Sequence, residues 1–285
     1  MKRLIALSLA LLMLFALAAC GGGDTPATQA PASDTPATDV PATDAPAADS
    51  DKQYILDKGT LVVGITDFAP MDYQDQDGNW IGFDADLAKA FAERLGVEAK
   101  FQIITDWDAK VMELEGKTVD VVWNGMTLTD DVKAAMECSV PYCANSQIVV
   151  LPVDQADNYP TAESMKDLTF AVENGSAGQE AVEALGYATV PTQDQGTALL
   201  EVSAGTADAA VIDSLMAAAM VGEGTDFAQL TYTIGLCDEE YGVGFRKGSD
   251  LAAELNDFFK EVANNGVMAE LAHTYGVDAA ILPQK

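Results

Sequence analysis

The chain has 285 residues, of which 45 are Asp or Glu and 15 are Lys or Arg, for a formal net charge of −30 at pH 7. So large an acidic excess repels phosphate backbones and anionic headgroups, which excludes nucleic acid as a partner. With four cysteines and one histidine in the whole chain, none at zinc-site spacing, no metal or cofactor is called for.

Lys2 and Arg3 precede an apolar run from Leu4 to Ala19. Residues 1–19 therefore read as a secretory signal, too short for a span. The run ends in Leu17-Ala18-Ala19-Cys20 and is followed by Gly21-Gly22-Gly23. This ending resembles the lipobox of bacterial lipoproteins, which implies a diacylglycerol on Cys20 and lipid attachment to the outer face of the cell membrane. At roughly 0.8 kcal/mol per buried methylene, several acyl chains together make a stable anchor. Residues 20–50 form the next segment, in which a pentapeptide restarts at Pro26, Pro31, Pro36, Pro41 and Pro46, with no aromatic and no Lys or Arg. Such a segment cannot build a core and reads as an extended tether.

The folded part is expected from near Tyr54. Leu61 to Ile65 reads as a buried strand. Phe83-Asp84 opens a helix with Leu87, Phe91 and Leu95 on one face, stopped by Gly96. Val97 to Ile104 is a second strand, Trp107 to Leu114 a short helix ended by Gly116, and Val119 to Trp123 a third strand turning at Asn124-Gly125. The same order restarts with strands at Leu168–Val172, Thr189–Val190 and Asp208–Ile212 and helices at Ser176–Leu185, Thr197–Ala204 and Ser214–Val221. A strand at Tyr241–Phe245 and a helix lined by Leu251, Leu255, Phe258, Phe259 and Val262 close the chain. The alternation predicts an α/β protein of two lobes, each a mostly parallel sheet flanked by helices.

Several segments in this order carry a resemblance: Gly78-Asn79-Trp80-Ile81-Gly82-Phe83-Asp84, Trp107-Asp108, Gly116-Lys117-Thr118-Val119-Asp120, Asn124-Gly125-Met126-Thr127-Leu128-Thr129, Ser139-Val140-Pro141-Tyr142, Ala204 to Asp213, and Tyr241-Gly242-Val243-Gly244-Phe245-Arg246-Lys247. From Thr60 to Val277 the sequence resembles the amino-acid-binding family of extracellular solute-binding proteins of ABC importers, with the type II periplasmic-binding-protein fold. The resemblance implies two crossover segments, near Ser146–Val150 and Leu230–Gly235. It implies a first lobe of residues 51–147 and 236–285 and a second of 148–235, closing by a hinge on a small solute, with an ABC permease as partner. Monomer is the default. The rival readings are a sensory or structural binding lipoprotein and, on the same fold, a dehydratase-like enzyme with Asp67, Glu173 or Asp213 as acid; each of these carboxylates is better explained by binding or capping.

An amino acid needs a carboxylate for its ammonium and donors for its carboxylate. Asp213, at a strand end, is the first candidate for the ammonium, against a plain role as cap of the next helix. The resemblance implies that Asn124, Gly125, Met126 and Thr127, in the turn after the third strand, offer main-chain and hydroxyl bonds to the solute. Asn174, Ser176 and Ala177, where a strand passes into a helix, would offer amides to the carboxylate. The resemblance implies that Phe68, Met71 and Trp107 wall an apolar or aliphatic side chain, with Asp67 placed to read a distal positive group.

One departure stands out. The family places an arginine three residues after the second threonine of its Thr-x-Thr element, where it binds the α-carboxylate; here Thr127-Leu128-Thr129-Asp130-Asp131 is followed by Val132. Lys133 lies about 100° further round the helix and lacks arginine's planar fork. Either amides and hydroxyls hold the carboxylate, or the solute has none. Cys138, Cys143 and Cys237 permit one disulfide; Cys143 and Cys237, both near the crossovers, would restrain the hinge if paired. His273 reads as a surface residue.

Overall fold

The computed structural model describes residues 50–285. The signal, Cys20 and the tether lie outside the described residues. Among the described residues eleven strands, β1 (Thr60–Ile65), β2 (Tyr73–Gln74), β3 (Trp80–Ile81), β4 (Glu98–Ile103), β5 (Val121–Thr127), β6 (Glu137–Cys138), β7 (Cys143–Pro152), β8 (Thr169–Glu173), β9 (Ala188–Thr192), β10 (Ala209–Asp213) and β11 (Leu230–Phe245), alternate with nine α-helices. The helices are α1 (Asp51–Lys58), α2 (Phe83–Leu95), α3 (Lys110–Glu115), α4 (Asp130–Ala135), α5 (Ala177–Ala184), α6 (Gln195–Ala204), α7 (Ser214–Met220), α8 (Leu251–Asn264) and α9 (Val267–Tyr275).

The main sheet runs β4-β1-β5-β11-β7-β10-β8-β9, with β6 also on β11, while β2 and β3 form a separate hairpin. Its two ends are parallel: β1 pairs with β4 and β5, and β8 with β9 and β10. Between them β7 and β11 are antiparallel to each other, β11 to β5 and β7 to β10. Each end with its helices is one lobe, and β7 and β11 run through both. The crossovers are thus paired strands, and the register between them shifts at Tyr232, Gly235 and Cys237.

The helix at Phe83 is as expected: Gly96, at φ 77°, stops α2 by donating to Ala92 and Glu93 carbonyls. Its Phe91 meets Trp123 of β5 and Phe258 of α8, with centroids 6.4 and 5.4 Å apart, and Trp123 meets Phe259 at 5.6 Å. Asp120, fully buried, accepts from Val62 N at 2.7 Å and from Lys58 Nζ. Beside it Arg246 donates through Nε to both carboxylate oxygens of Asp51 and through Nη1 to the carbonyls of Leu114 and Val119. The Thr-Val-Asp and Phe-Arg-Lys segments thus tie α1, β1, α3 and β11 into the first lobe.

Two expectations change. Gly125, Met126 and Thr127 are not in a turn but continue β5, because Met126 and Thr127 pair with Gly242 and Tyr241 of β11. Cys143 pairs with Tyr241 and Cys237 with Gln147 on the same ladder, four residues apart and so separated by about 13 Å. That exceeds disulfide reach, and all three described cysteines are free.

Candidate functional site

Where β7 passes between β10 and β11, Gln147 sits opposite Asp213 on one side and Cys237 on the other, and Asn145 sits opposite Glu239. Residues two apart in a strand share a face, so the Asn145 and Gln147 amides project together. Both donate to Asp213 Oδ1, Gln147 at 2.9 Å, and both donate to Glu239 Oε1, Gln147 at 2.8 Å. Gln195 completes the grip: its Nε2 donates to Asp213 Oδ2 and its Oε1 accepts from Asp213 N at 2.8 Å. Burial, with the Glu239 carboxylate beside it, pushes Asp213 well above the usual carboxylate range. Asp213 occupies the N-cap position of α7 but its side chain makes no capping bond. The capping explanation therefore falls away.

A narrow cavity of ≈ 30 Å³ opens in front of Asp213. Asn124, Gly125, Met126, Thr127, Trp107, Lys110 and Val132 line it from the first lobe, and Ser176, Ala177, Glu173, Glu180 and Gln195 from the second. Asn124 is turned by its Nδ2 bond to Thr66 Oγ1 at 2.8 Å. Gly125 takes φ 55°, where a Cβ would stand 2.5 Å from Phe68 Cε1, so the strand makes this bend only with glycine. Asp84 at the start of α2 fixes the bend by accepting from Gly125 N at 2.7 Å. On the facing lobe Ser176 caps α5, accepting from Gln179 N at 3.1 Å, which leaves the first amides of that helix toward the cavity.

Glu173 ends β8 as Asp213 ends β10. It is 3 % exposed and its Oε1 has no hydrogen-bond partner. Burial raises its carboxyl to about 8, against the pull of Gln195, Lys110 and Thr66. The lobes meet beside it. Asn174 Nδ2 donates to Asp106 Oδ1 at 2.9 Å, Lys110 Nζ donates to Gly175 O at 3.2 Å, and a Cβ on Gly175 would stand 2.5 Å from Asp108 Cα. The cleft is therefore closed.

Of the candidates read from sequence, Trp107, Asn124, Gly125, Met126, Thr127, Ser176, Ala177 and Asp213 come together around this cavity. Phe68 and Met71 do not: both are buried in the first lobe's core, Phe68 edge-on to Tyr241, so they form no wall for a solute. Asn174 lies at the lobe contact rather than on the cavity. Asp67 is also off the cavity; burial raises its pKa and Asp194 of the facing lobe adds to the shift. The apolar wall is replaced by a largely polar lining, to which Glu173 contributes together with Lys110, Gln147, Glu180 and Gln195, four residues not singled out from the sequence. The pair Asn145 and Gln147, two polar residues on one face of a strand that continues as Ile148-Val149-Val150-Leu151, was the legible signal for the inner group.

A two-lobed α/β protein with a charged, buried cleft between its lobes has the architecture of a solute-binding protein. The chain belongs to the bacterial extracellular solute-binding proteins, family 3, whose model matches residues 61–278. It is 29% identical over 234 residues to the L-cystine-binding protein TcyJ of Escherichia coli (strain K12), covering 79% of this chain and 85% of that one. It is 27% identical over 280 residues to the arginine-binding extracellular protein ArtP of Bacillus subtilis (strain 168), covering 95% and 96%. Among solved structures, a mutant of ArgBP from T. maritima in its arginine-bound form superposes with a TM-score of 0.69 at 35% identity, covering 74% of this chain and 99% of that one. The chain is thus an extracytoplasmic binding protein, of a family that captures solutes rather than transforming them.

Proposed function

We propose that this chain is the solute-capturing component of an ABC importer for an amino acid whose side chain carries a cation or several hydrogen-bond donors. The observation that carries the reading is the closed interlobe cavity lined by Asp213 and Glu173 from one lobe and Thr127 and Trp107 from the other. Three acids, Glu173, Glu180 and Asp213, line it against one lysine, and a cation bound there would let the buried Glu173 and Asp213 carboxyls ionise, which favours a solute with positive charge beyond its α-ammonium. The relatives named for arginine and cystine support the class. Lobe 1 is taken as residues 51–147 and 236–285 and lobe 2 as 148–235. A lipid on Cys20 holds the chain, as a monomer, at the outer face of the membrane, where the closed form meets the permease.

The test is a thermal-shift series on the full chain in mild detergent with arginine, histidine, cystine and leucine, since a ligand of the folded state raises its apparent stability. A rise with arginine, histidine or cystine and none with leucine is expected, lost in Asp213→Ala. No rise with any proteinogenic amino acid overturns the reading.

A further inference from the structure

With Val132 where the resemblance expects an arginine, the carboxylate lacks a cationic partner from that position, and Lys110 is placed to supply one. It opens α3, is 9 % exposed, and is the single cation among the described residues lining the cavity. Its Nζ donates to the carbonyls of Trp107 and Gly175, both at 3.2 Å, and lies 5.3 Å from the centre of the Trp107 ring. An ammonium has three donors, so these two contacts leave one free. Among the described residues no carboxylate comes within 4.0 Å of it. Asp108, Glu173, Glu180 and Asp106 act on it only at longer range, and burial is the largest influence, lowering its pKa.

A buried cation without an anion in contact is costly. The half-buried Arg246, by contrast, is held against the Asp51 carboxylate and two carbonyls. Lys110 differs because its free side is the cavity. Gly175, whose carbonyl it holds, is followed by Ser176 and Ala177, the N-cap and first residue of α5. The ammonium therefore stands beside a helix start, and Thr127 lines the same space.

We propose that Lys110 is the specificity-determining cation for the solute's carboxylate, doing from α3 what the family's arginine does from the position of Val132. The inference rests on the amino-acid reading above and deepens it. A carboxylate at this point bridges the lobes, taking a charge from the first and amides from the second. Val132 belongs to one apolar cluster with Trp107 and Met126 and lines the same cavity, where it can donate no hydrogen bond.

The experiment is isothermal titration of the full chain in detergent with arginine, histidine and cystine, each against its carboxamide. The wild type is expected to bind one acid about 100-fold more tightly than its amide, the scale of a desolvated ion pair. In Lys110→Met and Lys110→Gln that preference falls to within about threefold, while Lys110→Arg keeps most of it. A lysine that merely latched the lobes would weaken acid and amide alike and leave their ratio unchanged. Should Lys110→Met not fold, Lys110→Gln, which keeps length and a donor, and the wild-type ratio carry the test. An acid-to-amide preference that survives both neutral variants overturns the proposal and returns the carboxylate to amides and hydroxyls. Equal binding of acid and amide by the wild type overturns it too, with the cleft still an amine site. No binding of any amino acid removes the amino-acid reading itself.

Discussion

Asp84 is fully buried and uses a single oxygen twice, accepting from Gly125 N at 2.7 Å and from the Tyr142 hydroxyl at 2.6 Å. Burial raises its carboxyl to about 7 in spite of these donors. Truncation in Asp84→Ala strands both donors in the core. We expect a loss of about 3 kcal/mol, read by denaturant unfolding, together with weaker solute binding because Gly125 loses its anchor. Glu173 yields a pH prediction. Its folded pKa of about 8 lies above the ordinary 4.5, so the folded chain holds a proton that the unfolded chain releases. The stability this represents is complete below pH 4.5 and is lost as pH rises through about 8. The melting temperature without solute should therefore fall between pH 6 and pH 8.5, and Glu173→Gln should flatten that fall. An identical slope in the variant would assign the titration to Asp84 and Asp213 instead.

At the scale of elements, much of the fold was legible. Helices stopped by glycine and strands of continuous Val and Ile are local signals, and α2, β1, β4, β8 and α6 lie where that grammar puts them. What escaped depends on partners distant in sequence. The extension of β5 through Asn124 to Thr127 requires β11, more than a hundred residues later; read alone, Asn-Gly says turn. Lys110 looks like a solvent-facing charge until the second lobe covers it. Glu173 obeys the strand-end rule that singled out Asp213, so its place was readable, whereas Lys110 on a short amphipathic helix offered no such sign. The lobe contact gives a prediction of its own. In Gly175→Ala the new methyl would meet Asp108 backbone, which only a more open cleft relieves. Solute affinity should drop by at least about tenfold, while unfolding without solute shifts by about 1 kcal/mol from the left-handed backbone conformation. Unchanged affinity would mean that the lobes need not approach this closely to hold solute.

For the whole molecule, the net charge of −30 makes solute capture sensitive to salt. A cationic amino acid should associate more slowly as ionic strength rises, by up to about tenfold between 10 mM and 1 M, while leucine-like zwitterions show no such trend. Stopped-flow following of tryptophan fluorescence reads this, since Trp107 lines the cavity.

The passage of β7 and β11 through both lobes has a consequence for folding. A protein whose halves were joined by loose linkers would melt in two steps, each half on its own terms. Here every route from one half of the sheet to the other passes through the ladder between β7 and β11, whose strands lie some eighty residues apart in sequence. Neither half has an edge to fall back on once that ladder opens. The chain should therefore melt as one cooperative unit, with equal calorimetric and van't Hoff enthalpies, and it should fold slowly, because its central pairing closes only after the whole second lobe has been made.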